Sequence, residues 1–181
     1  VSAHATSRMM DRPTAVAVAD LQRVFENLNE KVQMEADIQS RAEQIKQEQD
    51  KRQRELQLLR GDLDLLAPDT PAYQQKQAQL EEEAIKLQAW MAFQQKKLQR
   101  ERVAQIERLY QKVLDSIATV SKQNGYDVVL FREQDVDFSN AKPEQLSGAI
   151  QVRKVLYAAD DLNITDQIIT RMNNDFKNST N

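Results

Sequence analysis

Apolar residues recur at helical spacing through two long stretches, roughly Leu21 to Leu66 and Pro71 to Gln123, separated by the breaker Ala67-Pro68-Asp69-Thr70-Pro71. In the first stretch a heptad runs without a slip. Its a positions are Leu21, Leu28, Glu35, Ala42, Gln49, Leu56 and Leu63; its d positions are Val24, Lys31, Ile38, Ile45, Arg52, Leu59 and Leu66. All are apolar except Lys31, Glu35, Gln49 and Arg52, which makes a narrow seam suited to one or two partner helices. The polar exceptions weaken the seam, so the arm is expected to flex there. At about 1.5 Å per residue, an arm of roughly 46 residues is about 70 Å long and projects.

The second stretch carries its stripe in two parts. Tyr73, Leu80, Ala84, Leu87, Met91 and Leu98 follow one seam, and Val103, Ile106, Tyr110, Val113, Ile117 and Val120 follow a heptad nearer its end. The step from Leu98 to Val103 fits neither heptad spacing, so the inward face is predicted to change around Gln99 to Arg102. Thr70 followed by Pro71 reads as an N-cap with proline at the first helical position. Asn124-Gly125 reads as the stop.

The ends of the chain have a different pattern. Thr14 to Asp20, Asp127 to Arg132 and Lys154 to Ala158 are short apolar runs of strand length, and such continuous runs suggest burial on both faces. Pro143-Glu144-Gln145-Leu146 opens a short helix between the last two runs. Asn163 or Thr165 caps a closing helix with Ile168, Ile169, Met172 and Phe176 on one face. Three strands and one small helix make a head too small to stand alone, so it is expected to complete its core with other copies of the chain.

The expected fold is therefore α+β and mostly helical: a long antiparallel coiled-coil hairpin on a small β-strand body completed by oligomerisation. Residues 1–13 form a disordered tail, 14–20 and 124–176 the body, and 21–123 the arm with its tip at 67–71. Composition agrees, with 29% charged residues and a mean hydropathy of −0.70, a coiled-coil profile because the apolar residues keep their period. No apolar run approaches the roughly 18 residues of a membrane span. Ala3-His4-Ala5 has the small-x-small form of a signal-peptidase site without the apolar segment that should precede it; a processed end and a chance match both remain open. The absence of cysteine fits an oxidising compartment.

Catalysis has little to stand on. His4 is the only histidine and lies in the tail, there is no thiol, and the glycines Gly61, Gly125 and Gly148 form no phosphate-binding or dinucleotide motif. Glu81-Glu82-Glu83 point in different directions on a helix, and Asp160-Asp161 serve as helix-terminus charges. No enzyme activity, cofactor or metal is expected.

Three blocks carry a family resemblance. Val16-Ala17-Val18-Ala19-Asp20-Leu21-Gln22-Arg23-Val24 resembles the opening of the Skp (OmpH-like) family of periplasmic chaperones. Gly125-Tyr126-Asp127-Val128-Val129-Leu130 resembles the strand after that family's hairpin, and Asn163-Ile164-Thr165-Asp166-Gln167-Ile168-Ile169 with Met172-Asn173 resembles its closing helix. The resemblance implies a homotrimer with a β body and three helical tentacles around a cavity. It implies an ATP-independent periplasmic holdase for unfolded outer-membrane proteins, with an anionic membrane or lipopolysaccharide as a further candidate partner and no nucleic acid. The oligomerisation body would then use Val16, Val18, Val128, Val129, Leu130, Val155, Tyr157, Ile168, Ile169 and Met172.

Two departures stand out. The segment from Glu133 to Arg153 is longer than the family's usual link, and the chain is acidic, at net −3 and pI near 5.3, where well-known members are basic. Bases nevertheless cluster at Lys96, Lys97, Arg100, Arg102, Arg108 and Lys112 against Glu101 and Glu107, either a local field for incoming client or the usual charge lacing of a coiled coil. Trp90 and Phe93 lie off the Leu87-Met91-Leu98 line. With Met91, Lys96, Lys97 and Arg100 they are the candidate client contacts, the alternative being that the aromatics pad the arm interface. The rival reading of the whole chain is a coiled-coil scaffold or adaptor without chaperone activity.

Overall fold

The structure, a computed structural model, describes residues 13–133, 148, 150–151 and 153–180. The expected disordered tail and most of the Glu133 to Arg153 segment, including the helix proposed at Pro143, lie outside these residues. The elements are β1 (Val16–Ala19), α1 (Leu21–Glu26), α2 (Asn29–Asp64), α3 (Pro71–Asn124), β2 (Val128–Phe131), a 3-10 turn (Asp160–Leu162) and α4 (Thr165–Thr180). They fall into two compact units, one of residues up to Val32 and from Leu109 onward, the other Gln33–Arg108.

Gln33–Arg108 is the helical hairpin. The heptad of the first arm is packed as its spacing requires: Ile38 and Leu63 are buried, and Ala42, Ile45, Gln49, Arg52, Leu56, Leu59 and Leu66 are half-buried, while Glu35 is exposed. Contacts between Arg41 and Glu101, Arg52 and Trp90, and Asp62 and Lys76 fix an antiparallel register. Thr70 caps α3 as expected: its hydroxyl accepts the Tyr73 N–H at 3.2 Å and donates to the Ala67 carbonyl at 2.7 Å.

The other unit closes around β1. β1 and β2 pair in parallel, Val16 with Val128 through Ala19 with Phe131, as strands joined by a long helical connection can. On its other edge β1 meets Asn163–Ile164, whose Ile164 N–H donates to the Val18 carbonyl at 3.0 Å. β1 is thus central, and Ala17, Val18 and Ala19 are buried. The third expected strand, Lys154 to Ala158, is corrected: it is not a strand, and the edge it would have taken is held by Asn163–Ile164.

The core beneath β1 is formed by Val24, Leu28, Val113, Val120, Ile164, Ile168 and Met172. Ile168 and Met172 therefore pack within one chain rather than waiting for a second. Asp20 caps α1, accepting the Arg23 N–H at 2.8 Å, while its own N–H donates to the Thr165 hydroxyl at 2.9 Å. That hydroxyl donates to the Asn163 carboxamide at 2.5 Å, so the start of α1 and the start of α4 share one buried network. Gly125 adopts φ 74° and the Tyr126 N–H reaches back to the Ser121 carbonyl at 2.9 Å, the expected glycine stop of α3.

Two expectations about the helices are corrected. The first arm is not continuous from Leu21; it breaks at Asn27–Leu28. In the second arm Val103, Ile106 and Tyr110 do not face inward. They are exposed, and packing runs instead through Leu98, Glu101, Gln105, Leu109 and Val113. The packed face of α3 keeps one phase by accepting polar side chains at Glu101 and Gln105, which leaves Val103, Ile106 and Tyr110 outside it while Val113 and Val120 of the same stripe are buried.

Truncating the fully buried Ile168 to alanine should lower stability by about 2–5 kcal/mol in urea unfolding. Ile85→Ala, on the exposed face of α3, should change it by less than about 0.5 kcal/mol. Equal effects would contradict the assigned core.

Candidate functional site

Candidate client contacts divide between two faces of α3. Trp90 belongs to the packed side. The Arg52 guanidinium lies over its ring, 4.6 Å from the centroid, and is itself held by Glu48 at 2.8 Å. Arg52 is a polar d position that the heptad marks as a weak point, yet here it covers an aromatic face, a favourable cation–π arrangement. Trp90 and Lys97 line a cleft of about 340 Å³ with Arg41, Ile45, Leu98 and Glu101. Arg41 closes that cleft by donating to both Glu101 carboxylate oxygens at 2.8 Å. Met91 is half-buried.

Phe93, Lys96 and Arg100 belong to the other face. Steps of three and four residues place Phe93, Lys96, Arg100 and Val103 in one row, with Ile106 one turn beyond, and neighbours in such a row stand about 5–6 Å apart. All are exposed; Phe93 is 61% and Val103 54% accessible, against 8% for Leu87 on the packed side. Ile85 extends the same face at 67%. In this row two cations, Lys96 and Arg100, lie between large apolar groups, Phe93 on one side and Val103 and Ile106 on the other. Sequence reasoning named Phe93, Lys96 and Arg100 as candidates and placed Val103 and Ile106 in a buried seam, because their regular spacing reads equally well that way.

Elsewhere on the arm Lys86 is held between two carboxylates. Lys86 bonds Glu82 at 2.7 Å and Glu83 at 2.8 Å. The Glu82 hydrogen bond, then that of Glu83, holds the Lys86 ammonium above its usual range, and the bond to Lys86 holds the Glu82 carboxyl below its own. Among the described residues no group of three His, Cys, Asp or Glu side chains is arranged to hold a metal ion, and no helix is long and apolar enough to cross a membrane.

The residues proposed for oligomerisation divide likewise. Val18, Val155, Ile168 and Met172 are buried in the single chain, and Val16, Val129 and Ile169 are half-buried. Val128, Leu130 and Tyr157 are exposed, together with Phe131 and Leu156. Among the described residues β2 pairs with β1 alone, and its Val128, Leu130 and Phe131 side chains are exposed.

A helical hairpin whose ends meet in a small strand pair and a docked closing helix defines the class. The particular family follows from sequence: the OmpH-like outer membrane protein profile matches residues 15–172, and the chain belongs to that family. Among solved structures, a candidate outer membrane chaperone (OmpH-like) from Caulobacter crescentus CB15 aligns with a TM-score of 0.68 at 19% identity, covering 91% of this chain and 87% of that one. The likeness establishes the same fold. No curated protein matches the chain. Family and fold together support a chaperone role in general.

Trp90→Ser should lower the thermal stability of the arm by on the order of 1–2 kcal/mol, because it removes a packed ring and its cation. Phe93→Ser should leave it unchanged within about 0.5 kcal/mol. Circular dichroism melts compare the two; equal destabilisation would place Phe93 in the packing.

Proposed function

We propose that this protein is an ATP-independent holdase of the periplasm, which binds unfolded outer-membrane β-barrel proteins between helical arms and prevents their aggregation. The observation that carries the reading is the outward row of α3. Phe93, Val103 and Ile106 stand in solvent, where large apolar side chains in one row mark a contact surface rather than a random exposure. Lys96 and Arg100 between them add a local positive field in a chain of net charge −3. An unfolded β-barrel chain offers alternating apolar residues, and scattered weak contacts suit a partner that must hold many sequences and release them. The row needs no nucleotide, cofactor or metal to act.

The exposed side chains of β2 support a homotrimer. An edge strand bearing exposed Val128, Leu130 and Phe131 is a template for pairing with another chain. Three copies pairing there would place three arms around one cavity, and light scattering should give the mass of three chains at micromolar concentration. A monomer at that concentration would contradict the assembly.

The direct test dilutes an unfolded outer-membrane β-barrel protein from urea into buffer with this protein and without nucleotide. Suppressed light scattering at stoichiometric amounts is expected. An intact trimer that leaves aggregation unchanged would sink the holdase reading and favour a scaffold. Replacing Phe93, Val103 and Ile106 together by serine should weaken holding by on the order of 1–2 kcal/mol, since many contacts share the load. Neutralising Lys96, Lys97 and Arg100 should instead slow capture and reduce its salt dependence, because exposed charges act mainly on encounter rates.

A further inference from the structure

The break at Asn27–Leu28 is marked by neither glycine nor proline, although the Asn27 side chain contributes to it, its Nδ2 donating to the Arg23 carbonyl at 2.8 Å. The heptad passes through Leu21, Val24, Leu28 and Lys31 without interruption, and neither glycine nor proline occurs between Leu21 and Arg60. Helix kinks are almost always traceable to such residues or to a group inserted into the hydrogen-bond ladder. Here the backbone at Asn27 leaves the helical region, at φ −111° and ψ 14°, and α2 restarts at Asn29.

The inserted group is Asn173 of α4. Its Nδ2 donates to the Asn27 carbonyl at 3.0 Å, and its Oδ1 accepts the Asn29 N–H at 2.9 Å. In an unbroken helix those two backbone groups would be committed elsewhere, the Asn29 N–H to the Phe25 carbonyl and the Asn27 carbonyl to the Lys31 N–H. The Lys31 N–H instead donates to the Leu28 carbonyl at 3.1 Å, which also receives the Val32 N–H at 3.3 Å. One side chain, distant in sequence, thus replaces two rungs of the ladder, and the broken and unbroken forms use mutually exclusive bonds. Leu28 is buried at the break, beside Val24, on the side where Ile168 and Met172 of α4 are also buried. An ion pair from Arg23 to Asp166 at 2.6 Å ties α1 to the first turn of α4.

We propose that Asn173 is a positioning residue that imposes the break between α1 and α2, in a stretch whose heptad would otherwise carry one helix through it. The closing helix acts as a clasp. Without its carboxamide, Asn27 and Leu28 join α1 and α2 into one helix.

The test reads backbone carbon chemical shifts of the full-length protein. Wild type should show non-helical values at Asn27 and Leu28, and Asn173→Ala should move both to helical values. Asn173→Asp keeps an acceptor for the Asn29 N–H and places negative charge at the N-terminus of α2, where the helix dipole favours it. It should retain the break. Adding Asn29→Pro to the Asn173→Ala protein should restore the break, because proline is accepted at a first helical position but cannot continue a helix from Leu28. A purely structural role for Asn173 would lower stability in all variants without this pattern. Non-helical shifts persisting at Asn27 and Leu28 in Asn173→Ala would overturn the proposal, as would a continuous helix in Asn173→Asp. The Asp variant is informative even if the alanine variant does not fold.

Discussion

A seam between two helices can bury one face of each and no more. That limit governs the hairpin. α2 places Ile38, Ile45, Leu56, Leu59 and Leu63 on the seam, and α3 packs with Leu80, Leu87 and Leu98 interleaved with polar groups such as Gln94, Glu101 and Gln105. Because the packed phase of α3 accepts these polar side chains, Val103 and Ile106 are left on the exposed side. A helix carrying two apolar faces while it packs on one is a helix with a surface to offer. The holdase proposal rests on that surplus.

The two ends of the chain solve a different problem. A strand of four residues is too short to be stable by itself, and β1 gains its place by being covered on both edges, by β2 and by Asn163–Ile164. The buried Asp20, Thr165 and Asn163 network then links strand, first helix and closing helix without an unsatisfied polar group among the three. Satisfied buried polar groups specify one arrangement where apolar packing alone tolerates several. Among the described residues β2 is an edge strand, and its exposed Val128, Leu130 and Phe131 direct attention to a second copy.

Much of this was legible in local pattern. The first-arm heptad, the Thr70-Pro71 start and the Gly125 stop were readable because each rests on residues adjacent in sequence and on a conformation that few residue types adopt. What was not legible depends on distant partners. The break at Asn27 coincides with hydrogen bonds from the distant Asn173, and it is Asn163–Ile164, not Lys154 to Ala158, that lies against β1. The phase of α3 beyond Leu98 was misread for a related reason. Apolar spacing alone cannot say which of two stripes meets α2, and here Glu101 wins its place through Arg41. Trp90 and Phe93, three residues apart, read alike from sequence and were separated only by where α2 lies.

The most direct measurement of the central claim is site-specific photocrosslinking from α3 to an unfolded outer-membrane β-barrel protein held in solution. Probes at Phe93, Val103 and Ile106 should crosslink to the client, and probes at Leu87 and Gln94 on the packed face should not. Crosslinks of equal yield from both faces, or from neither, would contradict the claim that the outward row of α3 is the surface that holds the client.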